Sequence, residues 1–144
     1  MANNKRNKKF YVYSFTLKKS GLFYIGATMD RFNRELQHHR GIREAMRGIL
    51  EHTSEKGRLP AHDIIAKELL QFSGAYIHEV GTELYMTFNY KFFRDHCEYK
   101  IIAQKESKEE VALIEMELLD KYCDNPKCLN VTKKSHYDKR NYNV

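Results

Sequence analysis

Glu115 is the side chain whose type and position agree least in this sequence. It sits in the run Val111-Ala112-Leu113-Ile114-Glu115-Met116-Glu117-Leu118-Leu119. On a helix it falls inside the apolar stripe of Val111, Ile114, Leu118 and Tyr122, about 40° around from both Val111 and Leu119. Glu109 and Glu117 lie well away from that stripe. A carboxylate among apolar neighbours is costly unless a cation or a hydrogen-bond donor satisfies it, so Glu115 is a candidate to hold a positive group. Arg34 and His38 are four residues apart and share a helix face one turn from each other. The three cysteines Cys97, Cys123 and Cys128 are an odd number, which excludes a complete disulfide framework and favours reduced thiols in a cytosol. Cys123, Cys128 and His136 lack a fourth ligand at zinc spacing.

The elements that must position these groups follow from the local pattern. Phe10 to Leu17 is dense in aromatic and β-branched residues, the composition of a strand. Lys18 to Gly21 reads as a turn and Leu22 to Gly26 as the returning strand of a hairpin. Asp30 can cap a helix that starts at Arg31. Phe32, Leu36, His39, Ile42, Met46 and Ile49 recur at three- and four-residue steps and predict its packing stripe; Gly41 and Gly48 leave its far end open. Residues 53–60 are a polar connection ending at Pro60, and His62 to Phe72 reads as a second helix. Residues 75–80 and 97–103 have strand composition, while Leu84 to Phe93 suits strand or helix equally. Ser107, with Glu110 three residues later, is a capping-box pattern for the last helix.

The chain has 144 residues, 42% of them hydrophobic and 12% aromatic, which predicts one folded domain rather than a disordered chain. The formal charge of +6 is concentrated at the ends: residues 1–9 carry +4, residues 130–144 carry +3, and the 120 between them sum to −1. Basic arms flanking a neutral body suit phosphate contacts or solubility alone. No apolar run approaches a membrane span, and Met1 to Arg6 lacks the apolar stretch of a signal peptide.

The hairpin carries a family resemblance. Tyr11-Val12-Tyr13 and Tyr24-Ile25-Gly26, with Tyr24 eleven positions after Tyr13, resemble the paired motif of the GIY-YIG nucleases. In that family an arginine follows ten residues past the second tyrosine, matched by Arg34. Some members add a histidine one turn later, matched by His38. A glutamate on a late helix is matched by Glu115, and an asparagine some fifteen residues further on by Asn130. The first motif departs from the family by reading Tyr-Val-Tyr, but it keeps the tyrosine. Residues 38–115 are longer than in compact members, which blurs any carry-over between those anchors; His62 is a further candidate site residue there, outside the matched set.

The resemblance implies a small α/β (α+β) domain over residues 10–132, with a short antiparallel sheet flanked by helices and an insertion within 53–96. A basic arm would precede it at 1–9 and a basic tail follow it at 133–144, with no separate DNA-binding domain. It implies a metal-dependent DNA endonuclease leaving 5′-phosphate and 3′-hydroxyl ends. Tyr13 would act as general base, although a phenol with an ordinary pKa near 10 needs neighbouring cations to do so. Arg34 would neutralise phosphate oxygens with its planar fork, and Glu115 would hold Mg²⁺, or Mn²⁺ in its place, together with waters. Tyr24 and His38 would orient water or phosphate, and Asn130 would order the site or the substrate backbone. Substrate contacts would come from Gly26, Arg31, Lys5, Arg6, Lys133 and Lys134, from the insertion, and from the helix that also bears Arg40, Arg43 and Arg47. A stand-alone phage, mobile-element or restriction-type member would act in the cytoplasm as a monomer or homodimer. The alternative is a nucleic-acid-binding module that keeps the fold without the activity.

Overall fold

Two strands rich in β-branched and aromatic residues open the fold. In the computed structural model, which describes residues 8–51, 59–71, 77–80, 83–86, 90–122 and 124–130, strand β1 (Phe10–Leu17) pairs antiparallel with β2 (Phe23–Thr28). Their register sets Tyr13 opposite Gly26 and Phe15 opposite Tyr24. Gly21, at φ +80°, makes the left-handed residue of the turn, a conformation that costs glycine little. The turn is closed by the Leu17 N–H donating to the Leu22 carbonyl at 2.7 Å and the Gly21 N–H to the Leu17 carbonyl at 2.8 Å.

Strand β5 (Cys97–Lys105) pairs antiparallel with the other edge of β1, so β1 is central in the order β2-β1-β5. The β1–β5 register shifts between Val12 and Tyr13, the signature of a bulge. Side chains alternate along β1. Tyr13, Phe15 and Leu17 enter one cluster with residues of helices α1 (Arg31–Glu51) and α2 (Pro60–Leu70), among them Ile42, Met46, Ile65 and Leu69. Phe10 and Val12 enter a second cluster with Ile25 and with Val111 and Leu119 of helix α4 (Lys108–Tyr122). The domain is a small α/β (α+β) fold: a three-stranded antiparallel sheet with helices on both faces. Strands β3 (Ile77–Val80) and β4 (Glu83–Met86) form a separate two-stranded sheet, followed by helix α3 (Tyr90–His96).

Several expectations meet the structure here. The stretch from Leu84 to Phe93, ambiguous in sequence, divides between the end of β4 and the start of α3. Helix α1 runs through Gly41 and Gly48 to Glu51. Asp30 caps it, its carboxylate accepting the Asn33 N–H at 3.1 Å. At α4 the Ser107 hydroxyl accepts the Glu110 N–H at 3.2 Å while donating to Glu109 at 2.8 Å.

The expected stripe on α1 is wrong in its first two turns. Phe32 is 68% exposed and Leu36 45%. The buried residues of the helix include His38, His39, Ile42, Ala45 and Met46 instead. At about 100° per residue, Phe32 and Leu36 lie roughly 120–160° from Arg34 and His38, and those two are the ones turned toward Tyr13. Among the described residues no helix is long and apolar enough to cross a membrane.

Candidate active site

Tyr13 stands at the centre of a buried polar cluster on the α1–α2 face of the sheet. Its ring is 1% exposed and lies over Gly26, the residue opposite it on β2. A Cβ on Gly26 would collide with the Tyr13 hydroxyl and stand 2.6 Å from its Cζ. Glycine here makes room for the phenol. Tyr24, diagonally across the hairpin, has its ring centroid 6.5 Å away, and Tyr99 of β5 closes the other side at 5.0 Å.

The Tyr13 hydroxyl shares a 2.6 Å hydrogen bond with His38 Nε2. His38 Nδ1 in turn is 2.8 Å from His62 Nε2 on α2. The two imidazoles meet edge to face at 89°, and His38 stacks on Phe15. Gly41 permits this packing: a Cβ there would overlap the His62 ring. Sequence spacing leaves His62 outside the matched set, in the region where carry-over is blurred. Its signal was a glycine inside the helix, three residues past His38, which marked a close approach rather than a helix end.

The electrostatics follow from this enclosure. Burial, then the neighbouring Tyr24 phenol, raises the Tyr13 pKa well above its ordinary value, with Tyr99 and Glu115 adding to the rise while Arg34 opposes it. Burial lowers His62 to about 4, against the pull of Asp63 and with that of Arg34. Tyr99 is raised, again chiefly by burial and next by Glu35, with Arg34 opposing. Arg34 thus acts on Tyr13, Tyr99 and His62 together. Among the described residues its Nε and the Tyr99 hydroxyl are both buried without a hydrogen-bond partner. An unmet buried donor costs about 1–3 kcal/mol, so two of them beside one phenol form a place where an anionic oxygen would be stabilised.

The remaining residues of the resemblance stand on other elements around this cluster. Glu115 is wholly buried on α4, on the same helical face as Val111 and Leu119. Those two pack on the sheet face opposite the one that carries Tyr13. The Glu115 charge still reaches Tyr13. Asn130 orders the hairpin: its Oδ1 accepts the Ile25 N–H at 2.9 Å and its Nδ2 donates to the Ile25 carbonyl at 2.7 Å. It continues a short parallel pairing in which the Phe23 N–H donates to Lys127 and the Leu129 N–H to Phe23. Arg31 lies over the Tyr11 and Phe32 rings at 5.5 and 4.7 Å. Lys5, Arg6, Lys133 and Lys134 lie outside the described residues.

A carboxylate suits Mg²⁺ in donor type, but the enclosure of Glu115 does not fit a hydrated ion, which keeps several waters. Among the described residues no three His, Cys, Asp or Glu side chains gather as a metal cluster. Compared with family models, with curated proteins and with solved structures, the chain finds no match.

Proposed function

We propose that this chain is a DNA endonuclease that hydrolyses phosphodiester bonds around Tyr13, by resemblance to the GIY-YIG nucleases. The observation that supports it is the gathering of Tyr13, Tyr24, Arg34 and His38 from β1, β2 and α1, with the Arg34 Nε–H left unpaired beside the phenol. A scissile phosphate entering there would take the open guanidinium donor, and the Arg34 charge would offset the negative charge that develops on its oxygens. Tyr13, once ionised, would take the proton of the attacking water. Arg34 opposes the rise in the Tyr13 pKa that burial imposes. Asn130 holds β2, and so Tyr24, in register. The products would carry 5′-phosphate and 3′-hydroxyl ends.

Dependence on Mg²⁺ or Mn²⁺ enters only with the resemblance, which assigns the ion to Glu115; the enclosed carboxylate does not fit it, and no step here runs through the ion. DNA would be held along the exposed face of α1, where Arg40, Arg43 and Arg47 fall within about 60° of one another at helical spacing. The protein would act as a monomer or homodimer in the cytoplasm.

One observation favours a second reading. Tyr13 and Glu115 are 1% and 0% exposed, a closure that suits a binding module without activity. Plasmid cleavage by the purified chain, with Mg²⁺ and with EDTA, tests both. Nicking with Mg²⁺ that is lost in EDTA and in a folded Glu115→Gln variant is the result the resemblance implies. DNA binding with no cleavage in either condition would leave the binding module, and near-normal cleavage by Glu115→Gln would remove Glu115 from the reaction.

A further inference from the structure

The chain Tyr13–His38–His62 can be polarised in two ways, and packing decides between them. A neutral imidazole has one N–H and one bare nitrogen. In one direction the Tyr13 O–H donates to His38 Nε2 and the His38 Nδ1–H donates to His62 Nε2. In the other, His62 Nε2–H donates to His38 Nδ1 and His38 Nε2–H donates to the Tyr13 oxygen. That second direction strands the phenol's own proton. Among the described residues His38 is the only hydrogen-bond partner of the Tyr13 hydroxyl, on a ring 1% exposed. A buried unmet hydroxyl costs about 1–3 kcal/mol, so the first direction prevails.

We propose that His62 is a positioning residue whose bare Nε2 accepts the His38 Nδ1–H and thereby holds His38 in the tautomer whose Nε2 takes the Tyr13 proton. Its consequence for cleavage rests on the nuclease reading; the tautomer does not. The role requires a neutral His62, and burial supplies one. Gly41 gives up a side chain so that the ring can reach His38. When Tyr13 ionises, its O–H bond breaks and an N–H bond forms at His38 Nε2. The proton stays on the imidazolium, whose Nδ1–H remains bonded to His62, while the phenolate faces Arg34. The charged and titratable groups around the chain are Arg34 and His39 of α1, Asp63 of α2, Tyr24 and Tyr99 of the sheet, and Glu115 of α4.

The test is long-range ¹H–¹⁵N correlation on the full chain labelled at histidine, with His62→Gln and His62→Leu beside the wild type. Gln retains a side-chain acceptor and Leu does not. At neutral pH, wild type and His62→Gln should show His38 protonated at Nδ1 and bare at Nε2, and His62→Leu, which leaves the Nδ1–H without its acceptor, should raise the share of His38 protonated at Nε2. Single-turnover cleavage should fall roughly 10²- to 10⁴-fold in His62→Leu, the scale of a lost proton acceptor, with DNA affinity unchanged and His62→Gln retaining most of the rate. A wild-type His38 protonated at Nε2 would overturn the proposal, and should His62→Leu fail to fold, that wild-type spectrum still decides. An unchanged share of the two tautomers in His62→Leu would also overturn it. The expected tautomers without cleavage by any form would uphold His62 and discard the nuclease reading instead.

Discussion

Replacing Gly26 with alanine should damage the fold rather than a substrate contact. An ideal Cβ at this position overlaps the Tyr13 hydroxyl and comes within 2.6 Å of Cζ and 2.9 Å of Cε1. Ordinary contact would require the ring to retreat by about 1 Å, and nothing around it yields easily. Tyr99 and His38 stand 5.0 and 5.4 Å from it by centroid, and its hydroxyl is tied to His38. Overpacking of this kind costs about 1–3 kcal/mol, and a displaced buried hydroxyl about 1–3 kcal/mol more. The alanine recovers at most about 1 kcal/mol of strand preference over glycine. The net loss should be about 1–5 kcal/mol, a fall in Tm of roughly 3–20 °C for a chain of this size. Urea and thermal unfolding measure it, and a second background makes it specific. Tyr13→Leu removes Cε1, Cζ and the hydroxyl, so Gly26→Ala should cost at least about 1 kcal/mol less there. Equal losses in both backgrounds, or a loss below about 1 kcal/mol with cleavage abolished, would refute the packing argument and return Gly26 to the substrate.

Two further outcomes are expected. Replacing Arg40, Arg43 and Arg47 with alanine should reduce the slope of log affinity for duplex DNA against log salt by about 0.9 for each phosphate that these arginines neutralise; an unchanged slope would move the DNA off α1. His39 and His62 are both held near pKa 4 by burial, below the unfolded value near 6.5. Below pH 6.5 the unfolded chain therefore takes up protons that the folded chain refuses. Stability should fall as pH drops toward 4, by up to roughly 1.4 kcal/mol per pH unit for each histidine; a flat urea midpoint across that range would contradict the burial of both rings.

What could be read in the sequence was what depends on short-range pattern. The hairpin shows in its β-branched and aromatic content and in Gly21, α4 in the Ser107 cap and in Val111. The burial of Glu115 was legible too, because the helical period alone places it with Val111 and Leu119. The first turns of α1 were not. Periodicity finds an apolar stripe wherever apolar residues recur, and Phe32 and Leu36 complete one on paper. In the fold the inward side at that level belongs to Arg34 and His38, since a hydrogen bond to the central strand fixes the rotation of the helix. A polar network outranked the apolar pattern, and the pattern carries no term for it.

Gly41 shows why His62 was harder still. In a helix, glycine is expected to weaken the element by about 1 kcal/mol relative to alanine, and by that logic the position reads as a place where α1 could stop. The cost is accepted because α2 must bring an imidazole within 2.8 Å of His38, which no residue with a Cβ at position 41 would permit. The glycine and the histidine are 21 positions apart and belong to different helices, so neither explains the other until the helices are packed. Asn130 shows the converse. Sequence offers it only a place in the resemblance, and the fold reveals that both ends of its amide are taken by the backbone of Ile25. Its part in the site is therefore to hold the strand that carries Tyr24, and any effect of changing it must pass through the geometry of β2.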